Sequence, residues 1–361
     1  MGHAKRAALW AMLISIVLTS GCSPFVENNT IEDIAPVIFW SVSEGRDGKL
    51  KISTVVPPLV NEKKRLLTMQ VDLLKQGGKE FNLIYYRELK NGQTRMLLIH
   101  EGLARKGVMT LINTLLTDPD ISQRLYLVIV KGNFEEYIQN QLNKHANFDY
   151  YLYRMLKHYE KYRQGEMTIV NLHQFMKTLY TPLADPILPV FKVSKNSFSY
   201  EGTAFFSHDK LIGSVKEMDD QIIQLVDNDH YLKVLAIPEL AVTIGHVRSN
   251  ARMKFSRDFS SISLQVDLDG RIEEYRGDKK ILDEDELADL NKEIKTYLER
   301  RTTELLKKMQ EWKVDPLQTG TLTLTPFGKP LTKEEWLRYW EKMKFTVDYR
   351  IYVEPLTNVK E

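Results

Sequence analysis

The stretch LYLVIV, Leu125–Val130, decides the fold, because it is a run of six residues without a polar interruption. A strand of that composition is typically buried on both faces, in the middle of a sheet that carries helices on each side. Asn133 follows and can cap a helix. A strand at Arg95–Ile99 and a helix at Val108–Leu116 precede the run, and this alternation predicts a mixed sheet covered by helices.

Two β-rich segments open the predicted sheet. Val37–Val42 and Leu50–Val56 flank the turn-forming stretch SEGRDGK, in which Asp47-Gly48 is a turn dipeptide, so they predict a hairpin. Apolar residues at helical spacing then predict a helix over Lys79–Leu89.

Two further helices end the first part of the chain. Asp149–Tyr162 is rich in Tyr and basic residues, and its apolar positions, Leu152 and Leu156 among them, fit an amphipathic helix packed on the core. A stacking surface for nucleic acid or a helix lying on a membrane is the alternative. Thr168 is expected to begin a helix that reaches Leu179, and the proline-rich TPLADPILP after it marks the first domain boundary.

In the second half of the chain the spacing of apolar residues changes. From Ala241 to Tyr275 apolar and polar residues alternate, which predicts half-buried strands, with a tight hairpin at Asp269-Gly270. Asp283 begins the longest predicted helix, to about Trp312, and a short helix and the strand Phe345–Val353 follow. The fold class is therefore α+β and multi-domain, with mixed and antiparallel sheets, packed helices and one long C-terminal helix.

The charge of the chain is balanced. It has 361 residues, with 50 basic and 48 acidic side chains and a net charge of +2, and the two signs are interleaved. No global field attracts nucleic acid, so no nucleic-acid partner is expected.

The N-terminus has the order of an export signal. Lys5 and Arg6 precede the apolar run Ala7–Leu18, and Thr19 to Gly21 are small. The run is about 12 residues long, against about 20 needed to span a bilayer. Cys22 follows and is the only cysteine, so the chain cannot form an intramolecular disulfide.

This stretch resembles a bacterial lipobox, in which small residues stand immediately before a cysteine. The resemblance implies that the Cys22 sulfur receives diacylglycerol and that cleavage makes Cys22 the first residue. Two acyl chains hold a protein stably to a membrane. A lone buried cysteine behind an ordinary signal or a frayed N-terminus is the alternative. The expected division is a lipoprotein signal peptide at 1–21, a tether at 22–30, an N-terminal α+β domain at 31–190, a middle β-rich domain at 191–278, and the long helix with a short helix and strand at 279–361.

Motifs for catalysis and metal binding are absent from the sequence. It contains no GxxxxGK[ST], GxGxxG, GxSxG or HExxH, and no two of its eight histidines stand three to five residues apart. DLDGR resembles the start of a calcium loop but lacks that loop's later ligands. His208 and Asp209 in FSHDK are adjacent, and a turn between strands is favoured over a catalytic pair. We expect no catalytic residue, cofactor or metal.

Four segments, taken in order, resemble the C-subunit lipoproteins of bacterial spore germinant receptors, the Ger(x)C or GerAC-like family. The segments are RMLLIHEGLARKGVMTLINTLLTDPDISQRLYLVIVKGNFEEYI (Arg95–Ile138), TLYTPLADPILP (Thr178–Pro189), YEGTAFFSHDKLIGSV (Tyr200–Val215) and MQEWKVDPLQTG (Met309–Gly320). The third is the most specific match.

The resemblance implies a non-enzymatic subunit, tethered by lipid to the extracytoplasmic face of the spore inner membrane. Its partners would be the integral-membrane A and B receptor subunits, and its fold three α+β domains. Two alternatives stay open: an exported, lipid-anchored protein that binds a small molecule, and a surface hydrolase with dispersed catalytic residues.

Overall fold

The computed structural model describes residues 3, 10, 32–58, 63–142, 144, 148–162, 167–226, 230–326 and 328–355. The predicted tether 22–30 and the lipidation residue Cys22 lie outside the described residues, and so does the signal peptide 1–21 apart from two single residues.

The strands, in chain order, are β1 (Ile34–Pro36), β2 (Phe39–Glu44), β3 (Leu50–Val56), β4 (Arg65–Val71), β5 (Glu88–Lys90), β6 (Met96–His100), β7 (Tyr126–Lys131), β8 (Ile187–Val193), β9 (Phe198–Ser207), β10 (Lys210–Lys216), β11 (His230–Ile237), β12 (Val242–Phe255), β13 (Ser261–Tyr275) and β14 (Lys344–Glu354). The helices are α1 (Leu74–Ile84), α2 (Glu101–Lys106), α3 (Met109–Leu116), α4 (Phe134–Leu142), α5 (Phe148–Tyr162), α6 (Leu172–Leu179), α7 (Glu217–Val226), α8 (Glu284–Glu311) and α9 (Lys333–Trp340).

The first sheet has eight strands in the order β10-β9-β8-β7-β6-β2-β3-β4. Its central strands are parallel and its outer ones antiparallel, so the sheet is mixed. The strand predicted at Leu125–Val130 is β7, which lies between β6 and β8. Leu127 and Ile129 pack into one apolar cluster and Val128 and Val130 into another, which confirms a strand buried on both faces. The predicted hairpin of β2 and β3 is also present.

Helices cover both faces of this sheet. Residues of α1, α2, α3 and α6 form the cluster on one face, and residues of α4 and α5 form the cluster on the other. Leu152 and Leu156 of α5 are buried there, as an amphipathic helix requires. Burial of each large apolar side chain stabilises the fold by about 1.5–3 kcal/mol, so the two layers account for much of its stability.

The second sheet has the order β11-β12-β13-β14, with α8 packed across one face. Leu290, Ile294, Leu298 and Met309 of α8 are buried in the same apolar cluster as the alternating apolar residues of β13, and the strand that α8 contacts most is β14. The side chain of Asp283 caps the helix by accepting hydrogen bonds from the amides of residues 285 and 286. α8 has 28 residues, which confirms the long C-terminal helix and the α+β class.

Two local predictions are wrong because long-range strand pairing overrides local preference. The Asp269-Gly270 dipeptide does not turn. It lies inside β13, where Asp269 pairs with Arg248 on one side and Tyr352 on the other, so both neighbours hold it extended. The helix predicted over Lys79–Leu89 ends at Ile84, because Leu89 belongs to β5 and pairs with β1.

The helix expected to begin at Thr168 begins instead at Leu172. Asn171 caps α6 and forms a capping box with Gln174, which satisfies two backbone amides. Thr168 is buried and bonded to Asp220, so its hydroxyl serves a long-range contact instead of a helix end.

Strand pairing crosses both predicted domain boundaries. β8 spans the boundary at residue 190, and β9 and β10 of the expected middle domain extend the first sheet. β13 and β14 lie on either side of residue 278 and are parallel neighbours in one sheet. Hydrogen bonding therefore groups the described chain into two main sheets.

Candidate functional site

The His208–Asp209 pair lies in the turn between β9 and β10. His208 has a left-handed backbone, φ 55°, and its Nδ1 atom is 3.3 Å from Asp209 Oδ1. Asp209 Oδ2 accepts a hydrogen bond of 3.0 Å from the amide of Met109, the first residue of α3. The carboxylate is therefore a helix cap supplied by a distant segment, which accounts for the pair without a catalytic role.

Gly107 explains why this cap can form. A Cβ atom there would lie 2.6 Å from Asp209 Oδ2, and the backbone φ of Gly107 is +126°. Only glycine meets both conditions at little cost. The LARKG and SHDK stretches, 100 residues apart in the chain, thus form one structural contact.

A second contact joins the other two segments that resemble the family, TPLADPILP and MQEWKVDPLQTG. The amide of Asp315, at the end of α8, donates to Asp185 Oδ2 at 2.8 Å, and the amide of Asp185 donates to the carbonyl oxygen of Asp315 at 3.1 Å. Lys333 of α9 donates to the same Asp185 oxygen at 2.7 Å. We call Asp185, Asp315 and Lys333 the junction, because they tie the approach to β8 to the C-terminal helices.

The Asp315 carboxylate is enclosed by donors. It accepts hydrogen bonds from the amide and hydroxyl of Thr319 and from the amide of Gly320, at 2.8–3.1 Å. Burial raises the pKa of Asp315 to about 6, although these hydrogen bonds act in the opposite direction. The Asp315 side chain is fully buried. A change in its charge therefore acts on the stability of the fold and not on a solute in contact with it.

A third buried carboxylate, Asp220 on α7, lies between the two sheets. Its oxygens accept hydrogen bonds from the hydroxyls of Thr168, Tyr200 and Thr203 at 2.5–2.6 Å. Burial raises the pKa of Asp220, and these donors limit the rise. With the amide of Thr168, four protein donors reach its two oxygens, which is the arrangement of a structural fastener.

A cleft of about 320 Å³ lies beside these carboxylates. Its lining comes from the loop before α6, from α6 and α7, and from the turn after α8, and includes Thr168, Gln174, Lys177, Asp185, Gln224 and Gln318. The lining is mixed polar and apolar, and the volume is at the lower end of the range for small-molecule sites.

Two further stretches that the sequence singled out, DLDGR and the basic residues of α5, interact with other side chains of the protein. Asp267 and Asp269 belong to extended strand β13, and Asp267 pairs with Arg252, so the stretch is not a calcium loop. On α5 the cations Arg154 and Lys157 lie over tyrosine rings of the same helix. Across the part of the chain that the structure describes, no three His, Cys, Asp or Glu side chains are grouped to hold a metal ion.

Sequence reasoning missed the junction and Asp220. The only signal for the junction was the repeated Asp-Pro in TPLADPILP and MQEWKVDPLQTG, which marks turns. Nothing local distinguishes the buried Asp220 from Asp219, its half-buried neighbour on the acidic first turn of α7. Of the helices described, none is long and apolar enough to cross a bilayer.

Comparison with known proteins places both halves of the chain in one family. A model of the spore germination protein N-terminal domain matches residues 27–193, and a model of the spore germination B3/GerAC-like C-terminal region matches residues 201–355.

Individual relatives agree with the family models. The spore germination protein GerQC of Bacillus cereus is 22% identical over 268 residues, which cover 72% of this chain and 73% of that protein. YfkR of Bacillus subtilis (strain 168), named as a spore germination protein, is 20% identical over 97% of this chain and 94% of its own. The crystal structure of the GerBC protein matches 87% of this chain and 96% of that one, with a TM-score of 0.53 at 14% identity. That likeness shows a shared fold.

Proposed function

Because the chain belongs to the GerAC-like family of spore germination proteins, we propose that it is the lipid-anchored C subunit of a nutrient germinant receptor. Membership gives the chain a role in spore germination. The observation that carries the finer proposal is the match of two family models along 27–193 and 201–355, which together take in nearly all of the chain after Cys22.

Its work in this proposal is contact with other proteins at a membrane surface. Acylation at Cys22 confines the chain to the extracytoplasmic face of the spore inner membrane, where its concentration near integral-membrane A and B subunits is high. The buried carboxylates support a non-enzymatic role, because Asp185, Asp220 and Asp315 spend their oxygens on protein donors.

Replacement of the anchoring sulfur tests this proposal. We expect Cys22→Ala to move the chain out of the spore membrane fraction and to slow nutrient-triggered germination, while germination by a stimulus that bypasses receptors stays normal. Cys22→Ala protein that stays in the membrane fraction and supports normal germination would contradict it. Co-purification of the parent chain with the A and B subunits from detergent extracts tests the partners directly.

The cleft beside α6 and α7 favours a second function, in which the anchored chain binds a small molecule itself. Its polar groups, among them Gln174, Gln224 and Gln318, suit a small polar solute. Calorimetry of the full chain with candidate nutrients separates the two functions. Saturable heat that is lost in Gln224→Leu would support direct binding, and no heat would favour the contact role alone.

A further inference from the structure

Three large apolar side chains are exposed together where α1 ends. Leu83 is 78% exposed, Ile84 66% and Tyr86 62%. The opposite side of α1 is fixed, because Phe81 is buried against the first sheet. Single exposed apolar residues are ordinary, but three within four positions form a patch that suggests a binding partner. We call Leu83, Ile84 and Tyr86 the apolar tip.

The chain from Cys22 enters the fold beside this tip. The carbonyl oxygen of Glu32 accepts a hydrogen bond of 3.1 Å from Arg87 Nε, and the carbonyl oxygen of Asp33 accepts one of 2.8 Å from the amide of Glu88. These bonds place Glu32 and Asp33 against the segment that follows Tyr86. Glu32 is ten positions after Cys22, so a fully extended chain between them reaches at most about 35 Å.

Cationic side chains flank the tip. Lys79 is exposed on α1 one turn before Leu83, and Lys63 and Arg65 are exposed at the start of β4. Strand pairing connects Arg65 to the tip. Arg65 pairs with Val56, and the carbonyl oxygen of the next residue, Pro57, accepts a hydrogen bond from Arg87. Four carboxylates share the region: Glu80 bonds Gln76, Glu88 pairs with Lys90 at 2.8 Å, and Glu32 and Asp33 are exposed beside the segment that follows Tyr86.

An apolar patch edged by cations suits the boundary between the headgroups and acyl chains of an anionic bilayer. Aliphatic side chains enter the acyl region, and a tyrosine ring lies at the headgroup level with its hydroxyl in water. Because the tether holds this protein surface within about 35 Å of the acyl chains, the surface stays within reach of the boundary between headgroups and acyl chains.

The position of the tip in the fold leaves the rest of the molecule accessible. α1 packs on β3 and β4, and β4 is one edge of the first sheet. The second sheet attaches at the other edge, where Trp312 packs on Gly213 of β10. Seven strand spacings separate β4 from β10, which is about 34 Å. A membrane at the tip thus keeps the junction and the second sheet away from the lipid.

We propose that the apolar tip, Leu83, Ile84 and Tyr86, inserts into the surface of the membrane that holds the acyl chains of Cys22 and fixes the orientation of the protein on it. The inference rests on the proposed lipid anchor. Its occupant is an anionic phospholipid surface.

Single-cysteine labelling of the full acylated chain tests the orientation. An acylated Cys22 has no free thiol, so a cysteine introduced by Leu83→Cys is the sole site for an environment-sensitive fluorophore. The labelled protein is reconstituted in vesicles of phosphatidylglycerol and phosphatidylethanolamine that contain a lipid with a quencher on its acyl chain. Leu282→Cys is the matched control, because Leu282 is 76% exposed beside the start of α8 on the second sheet.

We expect the label at residue 83 to be blue-shifted and quenched, and the label at residue 282 to be neither. Equal quenching at both positions would overturn the proposal. Tyr86→Cys carrying Leu83→Glu and Ile84→Glu gives a second readout. Quenching at residue 86 should fall in that variant, and unchanged quenching would show that the tether alone sets the orientation. Labelling of the parent chain at Cys22 would instead identify a failure of the lipid anchor, which is separate from a failure of the tip.

Discussion

The backbone amide of Asp315 donates a 2.8 Å hydrogen bond to the carboxylate of Asp185, and the amide of Asp185 donates one of 3.1 Å to the carbonyl oxygen of Asp315. Each aspartate precedes a proline, so two turns 130 residues apart are held face to face. Lys333 adds its charge to the Asp185 oxygen. The end of α8, the start of α9 and the approach to β8 are thereby fixed as one unit.

We expect Asp185→Ala to lower the free energy of unfolding by about 3 kcal/mol, since removal of the buried member of an ion pair leaves the largely buried Lys333 without its counter-ion. Asp185 is 1% exposed, and its loss strips both Lys333 and the Asp315 amide of an acceptor. Urea unfolding followed by tryptophan fluorescence measures the change.

Asp289→Asn on the exposed side of α8 is the matched control and should change stability by less than about 0.5 kcal/mol. Equal, small effects of the two substitutions would contradict the role of the junction.

Stability should depend on pH through Asp315. The folded pKa, raised by burial to about 6, exceeds the unfolded value of 3.8, so the folded state holds this proton more tightly. Its contribution, about 3 kcal/mol, is therefore full below about pH 4 and is lost as pH rises through about 6. Asp315→Asn cannot titrate, so the difference in unfolding free energy between parent and variant should change over that window. A difference that is constant from pH 4 to pH 7 would rule this out.

Two glycines, Gly213 at the contact between β10 and the end of α8 and Gly78 on α1, should respond in opposite directions to replacement by alanine. A Cβ atom at Gly213 would lie 2.6 Å from Trp312 Cζ2, so we expect Gly213→Ala to destabilise the fold by about 1–3 kcal/mol. Gly78 of α1 has nothing within 4 Å of its Cβ position, and Gly78→Ala should stabilise by about 0.5–1 kcal/mol. Thermal unfolding of the two variants provides the comparison. Similar shifts in the same direction would be inconsistent with the close contact at Trp312.

The His208–Asp209 turn gives a test of the cap against a catalytic pair. Asp209→Ala removes the acceptor for the Met109 amide and should cost about 1 kcal/mol. His208 has a side chain 63% exposed, and His208→Ala should leave stability nearly unchanged. Urea midpoints of both variants, together with an ester and peptide hydrolysis screen of the parent, decide the matter. Hydrolysis that disappears with His208→Ala would revive the catalytic interpretation.

Elements governed by local pattern could be predicted from the sequence. The run Leu125–Val130 gave a central strand, and apolar residues recurring along Asp283–Trp312 gave α8. Elements governed by distant pairing could not. β5 forms because β1 lies beside it, and Asp269-Gly270 stays extended because β12 and β14 flank it. In both cases the local turn or helix preference is weaker than backbone pairing with a neighbouring strand, on one side of β5 and on both sides of Asp269-Gly270.

The candidate site divides in the same way. The lipidation site at Cys22 was predicted from adjacent residues, because the order of charge, apolar run and small residues is local. Lipidation at that residue stays a prediction. The burial of Asp185, Asp220 and Asp315 could not be predicted, because each becomes buried only when segments far apart in the chain meet. The Asp-Pro pairs indicated turns without indicating that the turns face one another.

The mass of the N-terminal peptide, measured on protein extracted from spore membranes, tests lipid anchoring most directly. An anchored C subunit should give a peptide that begins at Cys22 and carries diacylglycerol on its sulfur, with residues 1–21 removed. A peptide that retains residues upstream of Cys22 and has a free thiol at that position would contradict the anchor.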